Sequence, residues 1–181
     1  MRLPIQTLLM VGLACTTVVW FSAAQSQGYT CEMQPNSDCR NVELKGANLQ
    51  FAHLYESNFE GANLEKANLQ NAFLYNSILQ RANLQGANLT SAALSHANLK
   101  HANLKEANFY HANLLSADLE GADLQGANLV RTNLKGAVLT GANLTSANLK
   151  GANLQDADLQ DAKLQGANFE GANTENCAGC P

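Results

Sequence analysis

Aromatic side chains make up only 6% of this 181-residue chain and charged ones 14%. So few rings do not make a typical mixed core, and so few charges do not make a charged disordered chain. Signatures of catalysis are absent too. No Gly-rich phosphate loop follows a strand–helix pattern, and the order of residues suggests no Ser-His-Asp set. In their place stands an excess of Ala, Asn, Leu, Gln and Gly, the mark of a repeat. With 46% hydrophobic residues there is material for one ordinary domain.

The first two dozen residues lie outside that pattern. Arg2 gives a short positive start, Leu8 to Phe21 is an apolar run, and Ser22-Ala23-Ala24 supplies small residues where a signal peptidase reads. Residues 1–24 are therefore expected to be a secretory signal peptide. Retention of Leu3 to Ala24 as a membrane anchor is the competing reading. Gly12-Leu13-Ala14-Cys15 is a weak lipoprotein box, because Gly12 stands where Leu is usual. Cleavage would remove one charge, Arg2, and move the net charge from −4 to −5. It would also remove Cys15, leaving Cys31, Cys39, Cys177 and Cys180. An even set in an exported chain favours disulfides.

From Val42 to Thr174 the chain repeats one word, Ala-Asn-Leu-x-x, as in Gly61-Ala62-Asn63-Leu64 and Gly151-Ala152-Asn153-Leu154. Leu or Phe holds every fifth position from Leu44 to Phe169. On an α-helix such residues would fall about 140° apart and form no stripe. On a continuous strand an odd period would send them to opposite faces. A three-residue strand followed by a corner fits. Ala62 and Leu64 then point to one side and Asn63 to the other. Gly at the second corner position, as in Gly46 and Gly86, suits a turn that needs positive φ. Four words with right-angled corners close a square coil of about twenty residues stacked at about 4.8 Å.

These tandem words resemble the pentapeptide-repeat proteins. The resemblance implies an all-β fold, a right-handed quadrilateral β-helix, here of about seven coils and roughly 30 Å long. It maps the central inward residue onto Leu44, Leu49, Leu54, Phe59 and onward to Phe169, and the small inward residue onto Ala47, Ala52, Ser57 and onward to Ala172. Val42 and Thr132 replace Ala, and Thr174 replaces Leu, which predicts fraying at the end and a wider corner near Thr132. The organisation expected is signal peptide 1–24, N-terminal cap 25–41, β-helix 42–174 and C-terminal cap 175–181.

Residues twenty apart should share a wall. Asn48, Asn68, Asn88 and onward to Asn168 form one asparagine ladder. On the next wall His53, Phe73 and Ala93 replace Asn, with Tyr55, Tyr75, Ser95 and Leu115 just past the buried Leu. His53, Tyr55, Phe73, Tyr75 and Leu115 are therefore the candidate interaction surface, since contiguous apolar surface marks interfaces. Cross-rung stacking, or cover by Gln25–Arg40, is the competing reading. A third wall carries Ile78 and Val138 among Asn58, Asn98, Asp118 and Asp158, with Glu120 beside Asp118. The resemblance gives that acidic cluster a meaning, because some cytoplasmic members imitate DNA and bind type II topoisomerases. Arg81, Lys100 and Lys135 interrupt the negative charge here.

No cofactor or metal is expected. His96, His101 and His111 fall at corners and His53 on a wall, so no three converge as ligands must. The carboxylates of Asp118, Glu120 and Asp123, like those of Asp156, Asp158 and Asp161, sit on solvated walls where nothing raises a pKa. The cysteine pairs lie about a rod length apart, while a disulfide needs α-carbons within about 7 Å. Cys31–Cys39 and Cys177–Cys180 are then staples on two caps. A Cys-x-x-Cys redox pair, free thiols or half of an intermolecular zinc site are the alternatives. The function expected is a non-catalytic exported scaffold, in the periplasm or a comparable lumen, with an unknown protein partner or self-association. It needs no nucleic acid, and no membrane unless the leader is retained. A cytoplasmic DNA mimic binding a topoisomerase is the runner-up, and a thiol-redox protein using Cys177 and Cys180 the third reading.

Overall fold

Three-residue strands need a partner, because one strand of that length holds too few hydrogen bonds to persist alone. In the computed structural model, which describes residues 31–181, each finds its partner twenty residues on. Parallel bridges join Asn48 to Asn68, His53 to Phe73, Asn58 to Ile78 and Glu43 to Asn63, and the same four ladders continue along the chain. The result is an all-β solenoid with four walls. Bridges extend past the spelled repeat, to Asp38 at one end and Ala178 at the other. The signal-peptide reading of residues 1–24, and the part of the cap before Cys31, lie outside the described residues.

Each rung is held twice by its neighbour. Leu44 N donates to Asn63 O at 2.7 Å, and Asn63 N donates back to Val42 O at 2.9 Å. The corner closes on itself, with Ala47 N donating to Leu44 O at 3.0 Å. Its third residue is left-handed, where a type II turn requires it. Glycine suits that position, as at Gly46 with φ 66°. Yet Phe51 at φ 58°, Lys66 at 56° and Arg81 at 57° take the same conformation. Cooperative stacking thus imposes on ordinary side chains a backbone that costs each roughly 1–2 kcal/mol.

Inside, the leucines and phenylalanines of all four walls meet on the axis. Leu64, Leu84, Leu104 and Phe109 are buried, as are the alanines between them. The polar exceptions are bonded. Thr132 donates its hydroxyl to Phe109 O at 2.8 Å, and Ser77 donates to Leu74 O at 2.6 Å. The closing bond at Thr132 is 3.2 Å against 3.0 Å at Ala127, a length that the Ala52 corner shares. Among the described residues no buried side-chain polar atom lacks a partner.

The two ends differ. At the N-terminal end Cys39 is buried in an inward Leu position, and Cys31 and Met33 pack on the first coil. Asn36 N reaches Tyr55 O at 3.1 Å, so this segment continues the coil. At the other end Leu164, Phe169 and Ala172 are only partly buried.

Candidate interaction surface

The asparagine of the word has a local task that its outward position alone does not reveal. Its Oδ1 accepts the backbone N–H two residues on, at the first corner position. Leu115 N donates to Asn113 and Lys135 N to Asn133, both at 3.2 Å. Every outward Asn or Asp from Asp38 to Asn173 makes this bond. This is the Asx turn, available only to a short side chain with an acceptor at that reach. Amide ladders are secondary. On the Asn48–Asn168 wall, Asn88 donates to Asn68 at 3.2 Å and Asn128 to Asn108 at 2.9 Å. Asn108 turns instead to the Thr90 hydroxyl at 3.1 Å.

His53, Phe73 and Ala93 have no such acceptor. The N–H groups of Tyr55, Tyr75 and Ser95 consequently have no protein partner among the described residues. Three successive corners on one wall thus forgo a bond that the rest of that wall makes.

Rings occupy the place of the amides. His53 and Phe73 stand 4.8 Å apart between centroids, tilted by 30°. Tyr55 and Tyr75 stack at 4.7 Å with planes 5° apart. His53 meets Tyr55 edge-on at 6.4 Å, which ties the two columns together. Phe73 keeps 39% of its surface exposed, and the Tyr75 hydroxyl is held above its ordinary pKa by desolvation, then by Tyr55 and Glu56. Both tyrosines are half-buried, so each keeps part of its ring in solvent. Leu115 is half-buried in the Tyr column but separated from Tyr75 by Ser95, so it stands apart from the ring cluster. Sequence reasoning missed Phe51. It is 58% exposed at the corner beside His53, and an apolar residue in an outward corner position was the available signal.

The other candidate groups are dispersed. Lys100 bridges Asp118 at 3.1 Å and Glu120 at 2.8 Å. Its ammonium is held above the ordinary lysine pKa by Glu120 and then Asp118, while Lys100 holds Glu120 below the ordinary carboxylate range. His96, His101 and His111 are exposed at left-handed corners. Among the described residues no three His, Cys, Asp or Glu stand close enough to hold a metal ion. Cys31 and Cys39 have α-carbons 5.0 Å apart, and Cys177 and Cys180 5.7 Å, each pair with sulfurs at bonding distance. A shallow groove follows one corner past Tyr110, Val130, Arg131 and Lys150, where Gly151 and Gly171 lack side chains.

Comparison with known proteins turns on the repeat. The family described as Pentapeptide repeats matches in eight copies over residues 35–61, 117–156 and 152–173, and that described as Pentapeptide repeat region matches residues 52–129. No curated protein sequence matches the chain. Among solved structures it is similar to HetL, a pentapeptide repeat protein involved in heterocyst differentiation regulation from Nostoc. There identity is 30%, over 79% of this chain and 87% of that one, with a TM-score of 0.24. It is similar at 26% identity to a pentapeptide repeat protein of the Arabidopsis thaliana thylakoid lumen, over 68% and 72% of the two chains, with a TM-score of 0.40. QnrB1, a plasmid-mediated fluoroquinolone resistance protein, is 20% identical over 77% and 82%, with a TM-score of 0.43. The repeat matches, with the twenty-residue ladder they encode, place the chain in the pentapeptide-repeat family.

Proposed function

We propose that this protein is an exported, non-catalytic scaffold that contacts a protein partner through the wall of His53, Tyr55, Phe73 and Tyr75. In this reading residues 1–24 direct export to the periplasm or a comparable lumen and are removed. Residues 25–41 and 175–181 are caps, stapled by disulfides Cys31–Cys39 and Cys177–Cys180. Between them residues 42–174 form a right-handed coil of about seven turns at the usual rung spacing.

One observation carries the choice of surface. Among the described residues, only on this wall do three consecutive rungs give up the Asx turn, and two of those three carry exposed rings instead. Each such hydrogen bond contributes about 0.5–1.5 kcal/mol. Cross-rung stacking recovers part of that, about 0.5–1.5 kcal/mol per pair. It leaves the ring edges and Phe51 in water, where a second protein gains by covering them. On the acidic wall Lys100 already neutralises Asp118 and Glu120, which weakens that wall as a surrogate for DNA.

The test is crosslinking in the exporting compartment with the wild type and a Tyr55→Asn, Phe73→Ser double variant. The variant is expected to stay folded, because neither side chain is in the core, and to melt lower only by the two lost stacking pairs, about 0.5–1.5 kcal/mol each. The crosslinked species should disappear in the variant. An unchanged crosslinking pattern would overturn this choice of surface, and an uncleaved cytoplasmic protein would overturn the reading of export.

A further inference from the structure

The wall carries large and small side chains in a definite order. Reading along the rod, the outward column runs His53, Phe73, Ala93, Asn113, and the corner column beside it Tyr55, Tyr75, Ser95, Leu115. A ridge two rungs deep is thus followed by a shelf of small residues. Resting on the reading of this wall as a contact surface, we infer that its occupant is a second copy of this chain. The two copies would be packed antiparallel, about a two-fold axis that runs along the strands midway between the Phe73 and Ala93 rungs.

Such an axis leaves each column facing itself and reverses the order of the rungs. Phe73 then lies over Ala93 of the second copy, and Tyr75 over Ser95. One rung further out, Tyr55 meets Leu115 of the second copy, which gives that isolated apolar residue a contact. Phe51 meets the corner of Tyr110 and His111, whose rings already pair edge-on at 4.3 Å. Every bulky side chain of the ridge finds a smaller or an aromatic counterpart, and the patch is complementary to itself, as an isologous interface must be. A two-fold along the rod axis would do the opposite. It would set Phe73 against Phe73 and leave an empty gap over Ala93, a loss of contacts on both counts.

Charge agrees with the antiparallel choice. Arg131 has no ion pair among the described residues, and Lys135 stands 3.8 Å from its nearest carboxylate, on Asp156. Both lie two rungs beyond the shelf, which the axis brings against the Cys31–Asn36 segment of the second copy, with Glu32 on it and Glu56 one rung away. Neither of these two carboxylates has an ion pair in its own chain among the described residues. Opposite signs therefore meet at both ends of the patch, fixing register as interfacial charges do. Six rungs of one wall bury on the order of 1,000 Å² in total over both copies, at the lower edge of specific interfaces. The dimer should accordingly be a dynamic one, with a dissociation constant on the order of micromolar.

Sedimentation velocity of the mature protein over a wide concentration range tests this with a bump-and-hole exchange. Ala93→Phe puts a ring where Phe73 of the second copy must sit, and should weaken self-association by at least about tenfold. Position 93 is outward, like Phe73 itself, so far-UV circular dichroism should not change. Adding Phe73→Ala moves the ridge to the shelf rung, and the Phe73→Ala, Ala93→Phe double variant should recover the dimer. Undiminished association in the single variant, as end-to-end stacking would give, overturns the inference. Failure of the double variant to recover does so too. A wild type that stays monomeric throughout also overturns it, while leaving the wall free to hold a different protein if crosslinking at Tyr55 and Phe73 persists.

Discussion

Two stretches of one wall share a backbone and differ in everything that faces out. Beneath both, the axis is filled alike, with Ala72, Leu74, Ala92 and Leu94 under the first and Ala112, Leu114, Ala152 and Leu154 under the second. Outside, Asn113, Asn133, Asn153 and Asn173 each close an Asx turn, and Asn133 and Asn173 also donate to the rung before at 3.0 and 3.2 Å. His53, Phe73 and Ala93 close none. Within a single word, therefore, two positions specify the fold and a third can be released from the corner. Releasing it leaves the ladder intact, because the rung bonds are backbone to backbone.

The most severe perturbation removes what both stretches share. Leu104 lies on the axis at mid-rod with no exposed surface. Leu104→Asp would bury a carboxylate with no cation near it and should cost about 4 kcal/mol or more. In a quasi-one-dimensional stack the loss spreads to neighbouring coils. Native-state hydrogen exchange should show protection lost on both sides of residue 104, in the ring-bearing and amide-bearing stretches equally. Loss confined to one rung would mean that the coils are not coupled as the ladder implies.

The fold was legible in the residues because it is written many times over. A period of five excludes helix and continuous strand, and the inward Leu and Ala positions follow from alternation. The ring cluster was legible as well, since His53, Phe73 and the tyrosines depart from a word repeated all around them. Three things were less so. The Asx turn depends on reach rather than on pattern, so Asn reads only as outward and polar. Phe51, in a left-handed corner, violates the usual preference for Gly or Asn there, and only the stacked backbone explains it. Leu115 falls in the right column, yet its distance from the rings appears only when Ser95 is seen between them.

A finer test exchanges the one feature that separates the two stretches. Ala93→Asn should give the corner at Ser95 its missing acceptor without disturbing any ring, and stabilise the protein by about 0.5–1 kcal/mol. Asn113→Ala should do the reverse by about 1 kcal/mol, since it also removes the acceptor for the Asn133 amide at 3.0 Å. Urea midpoints at unchanged m-value measure both. Equal midpoints for the two variants would show that the Asx turn carries no stability, and that the wall of His53, Phe73 and Ala93 gives nothing up.

The smallest expected effect concerns charge, which neither the rings nor the amides supply. Lys100 holds Glu120 below the ordinary carboxylate range, and Lys45 does the same for Glu65. A carboxylate whose pKa is lower folded than unfolded contributes stability above its unfolded value, near about 4.3, and loses it as pH falls through the folded one. The Lys100 shift is upward, so its share is present below about 10.4 and lost as pH rises through the folded value. The melting temperature should be flat through neutrality and decline slightly below about pH 4. All these groups reach solvent, though Glu65 and Lys100 are half-buried, so salt should reduce the decline. Lys100→Gln should remove the part that belongs to Glu120 and leave that of Glu65, because the two pairs sit on different corners and different rungs. A decline that Lys100→Gln leaves untouched would assign the acid sensitivity to the first coils, where Lys45 pairs with Glu65 at 2.8 Å and Arg40 holds Asp38 below the ordinary carboxylate range at 2.7 Å.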